Sequence, residues 1–206
     1  MNKININHNQ SLVVIDAMKG FTSQGTFGKA FGLQDSQPID ATFGRLQKFI
    51  RSSRDILTTR CLIKSVYQAG KFINDPSSPL YYLCIEESDD LKDAICIEEQ
   101  WYMVQKAETD ATTEQSFLNW IDNEIIEGKK ESIIVTGCTL TTCVSQTAMS
   151  IRRILDKANK ENIDIIAPLN LIGSRESHTK KENDKKSKID LIIKEMEDKR
   201  IKVVSN

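Results

Sequence analysis

Short, β-branched apolar runs alternate along the chain with segments of helical period. The candidate strands are Leu12 to Asp16, Ile56 to Arg60, Trp101 to Lys106, Ser132 to Gly137, Ile163 to Ala167 and Ile201 to Val204. Nearly continuous apolar runs suit strands that are buried on both faces. The alternation therefore predicts an α/β fold in which helices cover both faces of a parallel sheet.

Four apolar stripes with three- and four-residue steps predict the helices. The stripes are Phe43, Leu46 and Ile50; Phe117, Ile121 and Ile125, with Gly128 placed to end that helix; Val144, Ala148, Ile151, Leu155 and Ala158; and Ile189, Ile192, Ile193 and Met196. Two stretches, 21–37 and 61–100, lack this pattern and are predicted as loops. Loops of such length usually shape a site or an interface.

Length and charge exclude several classes of function. A chain of 206 residues is suited to one core, so we expect a single domain over residues 1–206. A net charge of -1 gives no general reason to bind nucleic acid or an acidic membrane. Neither a run of the roughly twenty apolar residues that span a bilayer nor a signal-peptide core is found. Five cysteines without disulfide or metal spacing favour a reducing compartment, so we expect a cytoplasmic location.

Two charged segments have ordinary explanations. The segment from Glu86 to Glu99 is strongly acidic, and a solvated face explains it better than a partner-binding role. The basic run from Lys180 to Lys188 also contains Glu182 and Asp184. We interpret it as an exposed approach to the last helix rather than a nucleic-acid site.

Three polar residues stand where strands end. Asp16 ends the first strand, Lys106 ends the strand WYMVQK, and Cys143 follows the strand SIIVTG and opens a helix. The carboxyl ends of parallel strands meet at one edge of a sheet, so a base, a cation and a thiol are expected to converge there. Taken singly, each has a structural alternative: a turn cap for Asp16, an exposed strand end for Lys106 and a buried structural cysteine for Cys143.

The position of Cys143 at a helix start leads to a further expectation. The helix dipole and nearby N–H groups would lower the pKa of the Cys143 thiol toward the reactive range. The same N–H groups would receive the negative charge that develops on a carbonyl oxygen under attack.

The segments LVVIDAMKGF, MVQK and VTGCTLTTCVSQTA resemble the three catalytic blocks of the isochorismatase-like cysteine hydrolase superfamily. The segment NLIGSRESH resembles the family's stretch after the fifth strand, and the order Asp, Lys, Cys is the family's order. The resemblance extends from about Leu12 to Val204. It implies a three-layer α/β/α sandwich with a six-stranded, mainly parallel sheet, assembled as a homodimer or homotetramer.

The resemblance also implies a mechanism. Asp16 would take the proton of Cys143, and the thiolate would attack a carbonyl to form an acyl-enzyme, assisted by Lys106. A non-prolyl cis peptide at Cys138-Thr139 would aim the N–H groups of Thr139 and Cys143 at the oxyanion. The predicted function is a metal-independent hydrolase that cleaves the C–N bond of a small amide, ureide or carbamoyl compound.

Departures from the family bear on cofactor and substrate. Nicotinamidases of this superfamily hold a metal with an Asp and histidines after the second strand, but that stretch reads TTRCLIKSVYQAGKF here. The only histidines are His8 and His178, so no metal and no cofactor are expected. Siderophore-pathway isochorismatases do not need the nucleophilic cysteine, so Cys143 argues against that reaction. Leu140 replaces a common Thr and Asn170 a common Asp, changes that bear on substrate identity.

For the substrate pocket we consider residues near the nucleophile and in the first loop. The candidates are Phe21, Cys138 and Leu140, with Phe27, Phe31 and Thr139 as further walls. Loop packing or a subunit interface is the alternative for each. An exposed structural role is favoured for His178 over one facing the site of a neighbouring subunit.

Two other functions remain open from the sequence. The chain would act as a binding protein if the three residues were vestigial and the acidic segment docked a partner. The sequence gives less support to thiol redox chemistry, because it contains no C-x-x-C pair. A disulfide between Cys138 and Cys143 would require a suitable separation of the two residues.

Overall fold

One sheet forms the centre of the molecule. The computed structural model describes residues 5–97, 101–181 and 186–205. The strands are β1 (Gln10–Ile15), β2 (Thr59–Ser65), β3 (Tyr102–Lys106), β4 (Ser132–Cys138), β5 (Asp164–Pro168), β6 (Ile172–Gly173) and β7 (Lys202–Val204). Their order is β3-β2-β1-β4-β5-β7, with β6 beside β4, and all pairings are parallel. The predicted α/β fold with a parallel sheet is confirmed, and the two-residue β6 is a seventh strand that was not predicted.

Within the described residues, five α-helices cover the sheet. They are α1 (Thr26–Phe31), α2 (Leu33–Ser53), α3 (Gln115–Trp120), α4 (Ser145–Lys157) and α5 (Lys188–Asp198). Helix α3 continues into a wider π-helical segment, Ile121–Glu127, and Gly128 caps it as predicted. A π-helical turn, Leu140–Val144, precedes α4 and contains Cys143. The four predicted stripes therefore lie on helices, except that Ala158 is the residue that caps the end of α4.

The sheet separates two apolar layers, because successive side chains of a strand point to opposite faces. On one face Val13 and Val135 pack against α3, α4 and α5. On the other, Leu12 and Ile134 pack against α1 and α2. Every residue of β1 is buried, as expected for a central parallel strand.

The predicted second strand was displaced. The prediction was Ile56 to Arg60, whereas β2 runs from Thr59 to Ser65. The N–H groups of Ile56 and Leu57 donate to the carbonyl of Ser53 at 3.0 and 2.8 Å, which places this apolar pair in the turn after α2. Their burial reflects packing of a turn, not strand pairing.

The two predicted loops also differ from the structure. Much of 21–37 is helical, because α1 and the start of α2 lie there, separated by Gly32 at a φ of 88° that glycine adopts readily. The second stretch begins as β2 and then runs irregularly with short 3-10 turns at Pro79–Tyr82 and Asp89–Leu91. Glu98 and Glu99 of the acidic segment, and Glu182 and Asp184 of the basic run, lie outside the described residues.

Within the described part of the chain, no helix has both the length and the apolar character needed to cross a membrane.

We expect Gly137→Ala to destabilise the fold strongly. Gly137 has a φ of 111°, and a Cβ there would lie 1.9 Å from the carbonyl oxygen of Ile15 on β1. Backbone strain and this clash should together lower the free energy of unfolding by roughly 3 kcal/mol or more. Urea denaturation measures the change.

Gly44→Ala is the matched control. Gly44 lies in α2 with no atom within 4 Å of an added Cβ. Alanine should raise stability there by up to about 1 kcal/mol, because glycine is a poor helix former. Equal effects of the two substitutions would contradict the assigned role of Gly137.

Candidate active site

The three polar strand-end residues meet at the carboxyl edge of the sheet. Asp16 directly follows β1 with a φ of 52°, and its Oδ1 accepts a hydrogen bond from the N–H of Ser65 at 2.8 Å. Lys106 is the last residue of β3, and Cys143 lies in the turn after β4. The structure therefore brings together Asp16, Lys106 and Cys143 from three separate strand ends.

Lys106 is the centre of this cluster. Its Nζ lies 2.9 Å from Asp16 Oδ2 and 3.5 Å from Cys143 Sγ, and the Lys106 and Asp16 side chains are both fully buried. Nζ also donates to Ser65 Oγ at 2.6 Å and to the Glu108 carbonyl at 3.1 Å. Burial alone would lower the pKa of Lys106, but the negative charge of Asp16, with that of Cys143 once its thiol is deprotonated, outweighs this effect and the pKa is raised. The ammonium is therefore protonated at neutral pH.

The electrostatics of Cys143 differ from the sequence-based expectation. Burial and the nearby Asp16 carboxylate raise the pKa of the thiol to about 11, although Lys106 acts in the opposite direction. The expected lowering by a helix start is wrong for this structure, because the thiol is almost completely buried beside a carboxylate. The resting group is a thiol, so any nucleophilic role requires removal of its proton.

Tyr67 belongs to the cluster and was not identified from the sequence. Its Oη lies 3.8 Å from Cys143 Sγ and accepts hydrogen bonds from Ser65 Oγ at 2.6 Å and Lys106 Nζ at 3.3 Å. Burial and the charge of Asp16 raise its pKa, so the phenol is neutral. Since the Tyr67 oxygen accepts two hydrogen bonds, its hydroxyl hydrogen can be donated to the Cys143 sulfur. The feature that could have identified Tyr67 is its position just after β2, at the same edge of the sheet.

The turn before Cys143 has the geometry that the resemblance predicted. The Cys138-Thr139 peptide bond is cis. The carbonyl of Thr139 accepts hydrogen bonds from the N–H groups of Thr142 and Val144 at 3.2 and 3.1 Å, which folds the turn back on itself. Thr139 and Cys143 consequently both line one pocket. An oxyanion role for their N–H groups stays a prediction.

This pocket has a volume of about 340 Å³ and aromatic walls. Phe21, Phe27 and Phe31 contribute to it as predicted, together with Tyr67 and Phe72. Edge-to-face contacts join Phe27 to Phe21 and to Phe31, at centroid distances of 4.9 and 5.2 Å. Of the three strand-end residues only Cys143 lines the pocket, while Asp16 and Lys106 lie behind it.

Two predicted pocket residues do not line it. Cys138 is fully buried in the apolar layer that contains α2, because the end of β4 turns its side chain toward that face. Leu140 is buried in the opposite layer with Val144 and Ala148. Proximity to Cys143 in sequence thus did not predict access to the pocket.

His178 and the cysteines also differ from two expectations. His178 is 8% exposed and lines the pocket of its own chain, so the exposed structural role is wrong. All five cysteines are free, and Cys138 and Cys143 form no disulfide.

The residues after β2 do not fit a metal site of the nicotinamidase kind. Tyr67 directs its hydroxyl at the Cys143 sulfur, and Lys71 forms an ion pair with Glu108 at 2.5 Å. Among the residues that the structure describes, no group of three His, Cys, Asp or Glu side chains could hold a metal ion.

Solved structures share this fold over nearly the whole chain. An Acinetobacter baumanii nicotinamidase/pyrazinamidase superposes with a TM-score of 0.66 at 14% identity, covering 98% of each chain. A Streptococcus mutans pyrazinamidase/nicotinamidase gives 0.64 at 12% identity, over 95% of this chain and 99% of that one. An isochorismatase family protein from Desulfovibrio vulgaris gives 0.62 at 13% identity, over 97% and 95%. The chain therefore has the isochorismatase-like hydrolase fold.

No protein-family model and no curated protein matches the sequence. At these identities the likeness to the solved structures is one of fold.

We expect opposite changes in Cys143 alkylation from two substitutions. Asp16→Asn removes the negative charge that raises the pKa of the thiol, so iodoacetamide labelling at pH 8.5 should accelerate. The gain is about tenfold for each unit by which the pKa falls. Lys106→Met removes the charge that lowers this pKa, so labelling should slow.

Peptide mass spectrometry reads the labelling rates, and exposed Cys96 serves as the internal reference. Wild-type labelling should rise with pH toward a midpoint near 11. Changes of the same sign in both variants would refute the charge arrangement.

Proposed function

We propose that this protein is a cysteine hydrolase that cleaves the C–N bond of a small amide, ureide or carbamoyl compound through an acyl-enzyme at Cys143. The observation that carries the proposal is the bridge formed by Lys106, 2.9 Å from Asp16 and 3.5 Å from a thiol that lines a pocket. A base, a cation and a nucleophile in contact have the arrangement of acyl transfer. The names of the structural neighbours, nicotinamidases among them, support the same reaction class.

In the proposed mechanism Asp16 acts as the base. As a substrate carbonyl approaches, the thiol proton passes to Asp16 and the sulfur attacks the carbonyl carbon. The C–N bond breaks, and the leaving nitrogen takes the proton from Asp16. Water then attacks the thioester and gives a proton to Asp16, which returns it to the sulfur as the acid leaves. The raised pKa of Cys143 supports this role, because the resting thiol needs a base.

Lys106 and the backbone would stabilise the charges that form. The Lys106 ammonium holds its position through Ser65 and Glu108, so it can offset the thiolate without reorganising. We assign the N–H groups of Thr139 and Cys143 to the oxyanion of the tetrahedral intermediate. Tyr67 would donate to the sulfur in the resting state.

The pocket favours a compact substrate with an apolar body. Its aromatic walls would hold a flat ring or a short aliphatic group by burial of apolar surface. A small aromatic carboxamide combines such a flat apolar ring with a C–N bond that the proposed reaction would cleave.

The binding-protein alternative depends on the acidic segment. Three of its acidic residues already have partners within the chain: Asp89 pairs with Lys19 and Lys92, Asp93 with Lys64 at 2.7 Å, and Asp90 accepts from the Cys84 N–H at 3.3 Å. These contacts attach the segment to its own fold. They favour a structural role over docking of a partner.

We infer a homodimer or homotetramer and a cytoplasmic location from the resemblance and the cysteine usage. Strand β3 lies at one end of the sheet and exposes Tyr102 and Met103, which a second copy would cover. Sedimentation velocity measures the assembly.

We expect Cys143→Ala and Asp16→Asn each to lower kcat/KM by at least about a thousandfold. The panel consists of nicotinamide, pyrazinamide, benzamide and N-carbamoylglycine, with the acid product measured by chromatography. Mass spectrometry of wild-type protein quenched during turnover should find the acyl group on the Cys143 peptide. Asp16→Asn should combine faster alkylation with lost turnover, because the base is absent while the thiolate is more abundant.

Cys96→Ser is the control, since this cysteine is exposed and outside the pocket. It should keep wild-type rates. Full turnover by Cys143→Ala would exclude the proposed mechanism.

A further inference from the structure

Four side chains form a continuous series of contacts along one wall of the pocket. Arg175 Nη1 donates to Asp35 Oδ2 at 3.1 Å, and Arg175 Nη2 lies 2.8 Å from His178 Nε2. His178 Nδ1 lies 3.1 Å from Thr141 Oγ1. Thr141, Arg175 and His178 all line the pocket that contains Cys143. None of the four takes part in the thiol chemistry proposed above.

Arg175 is held firmly at the start of this series. Its guanidinium stacks on Phe31, with the central carbon 3.7 Å from the ring centroid. Asp35, which pairs with it, also accepts from the hydroxyl of Ser177 at 3.0 Å. The Arg175 donors therefore have a defined direction.

The contact with Arg175 determines where the proton of His178 resides. A guanidinium has donors only, so His178 Nε2 must accept. Burial, Arg175 and Lys188 lower the pKa of His178 against the opposing effect of Asp35, so the ring is neutral at neutral pH. A neutral ring that accepts at Nε2 carries its proton on Nδ1. This Nδ1–H then donates to the hydroxyl oxygen of Thr141.

The hydroxyl hydrogen of Thr141 is consequently available for a further hydrogen bond. Its oxygen accepts from His178, and no acceptor for its own hydrogen is found among the described residues. Thr141 is partly exposed and stands two positions before Cys143 in the same turn. The hydroxyl is thus a donor directed at the pocket beside the nucleophile.

We propose that Thr141, oriented by His178 and Arg175, donates a hydrogen bond to an acceptor atom on the body of the substrate. This inference rests on the proposed hydrolase function and narrows its substrate to amides that carry such an acceptor near the scissile carbonyl. Thr141 is then a specificity-determining residue, and His178 and Arg175 are positioning residues. A pocket that offers an oriented donor discriminates against a molecule of the same shape without the acceptor.

The first test reads the tautomer and needs no substrate. The chain has two histidines, so ¹⁵N-histidine labelling gives signals from two imidazole rings, and the variant His8→Gln assigns each set to its residue. Long-range ¹⁵N–¹H spectra should show His178 protonated at Nδ1 and unprotonated at Nε2 near neutral pH. Arg175→Leu should release the ring toward the Nε2–H tautomer. An Nε2–H tautomer in the wild type would overturn the proposal.

The second test reads specificity with four amides of nearly equal shape. Benzamide has no ring acceptor, whereas picolinamide, nicotinamide and isonicotinamide place a nitrogen at each ring position in turn. The wild type should prefer at least one isomer over benzamide by about tenfold in kcat/KM. Thr141→Val should abolish this preference, and Thr141→Ser should retain it.

A conservative substitution tests the positioning role of His178. In His178→Asn the amide nitrogen takes the place of Nδ1, so this variant should retain more of the preference than His178→Leu. Thr113→Val is the control, because that exposed hydroxyl donates to the Asp110 carbonyl outside the pocket. Wild-type ratios in Thr141→Val would overturn the proposal. If none of the four amides is hydrolysed, the proposed function fails and this inference fails with it, whereas equal hydrolysis of benzamide and all three isomers would overturn this inference alone.

Discussion

The buried ion pair between Asp16 and Lys106 is the interaction on which the site depends. Two charges removed from water carry a large desolvation cost unless further polar groups satisfy them. Here the N–H of Ser65 bonds to the carboxylate, and the Ser65 hydroxyl and Glu108 carbonyl accept from the ammonium. These partners stand at or just beyond the ends of β1, β2 and β3, neighbours in the sheet. Strand order therefore makes the charged pair possible.

The ion pair acts on the thiol in two opposing ways. Asp16 raises the pKa of Cys143 and Lys106 lowers it, while burial adds to the increase. A resting thiol of high pKa reacts slowly with alkylating agents, and in the proposed mechanism the carboxylate beside it would remove its proton when a carbonyl is bound. Because the two charged residues lie behind the pocket, a molecule in the pocket would contact the sulfur but not the ion pair.

The pocket itself is built by segments distant in the sequence. Helix α1 supplies Phe27 and Phe31, the stretch after β2 supplies Tyr67 and Phe72, and the Arg175 to His178 turn closes one wall. Arg175 stacks on Phe31 and so joins two of these segments, while Tyr67 contacts Phe72 edge-to-face within the stretch after β2. Pocket shape is thus a property of packing between loops and not of any one motif.

The parallel α/β architecture, helices α2 to α5 and the convergence of Asp16, Lys106 and Cys143 could all be predicted from the sequence. Periodicity reports which side of an element is buried, and strand ends report a shared edge. The bounds of β2, the contacts of Tyr67, the burial of His178 and the raised pKa of Cys143 could not be predicted in this way. Neither could the exclusion of Cys138 and Leu140 from the pocket. These depend on which distant groups come into contact and how much water remains around them, and neither quantity is written in local sequence pattern.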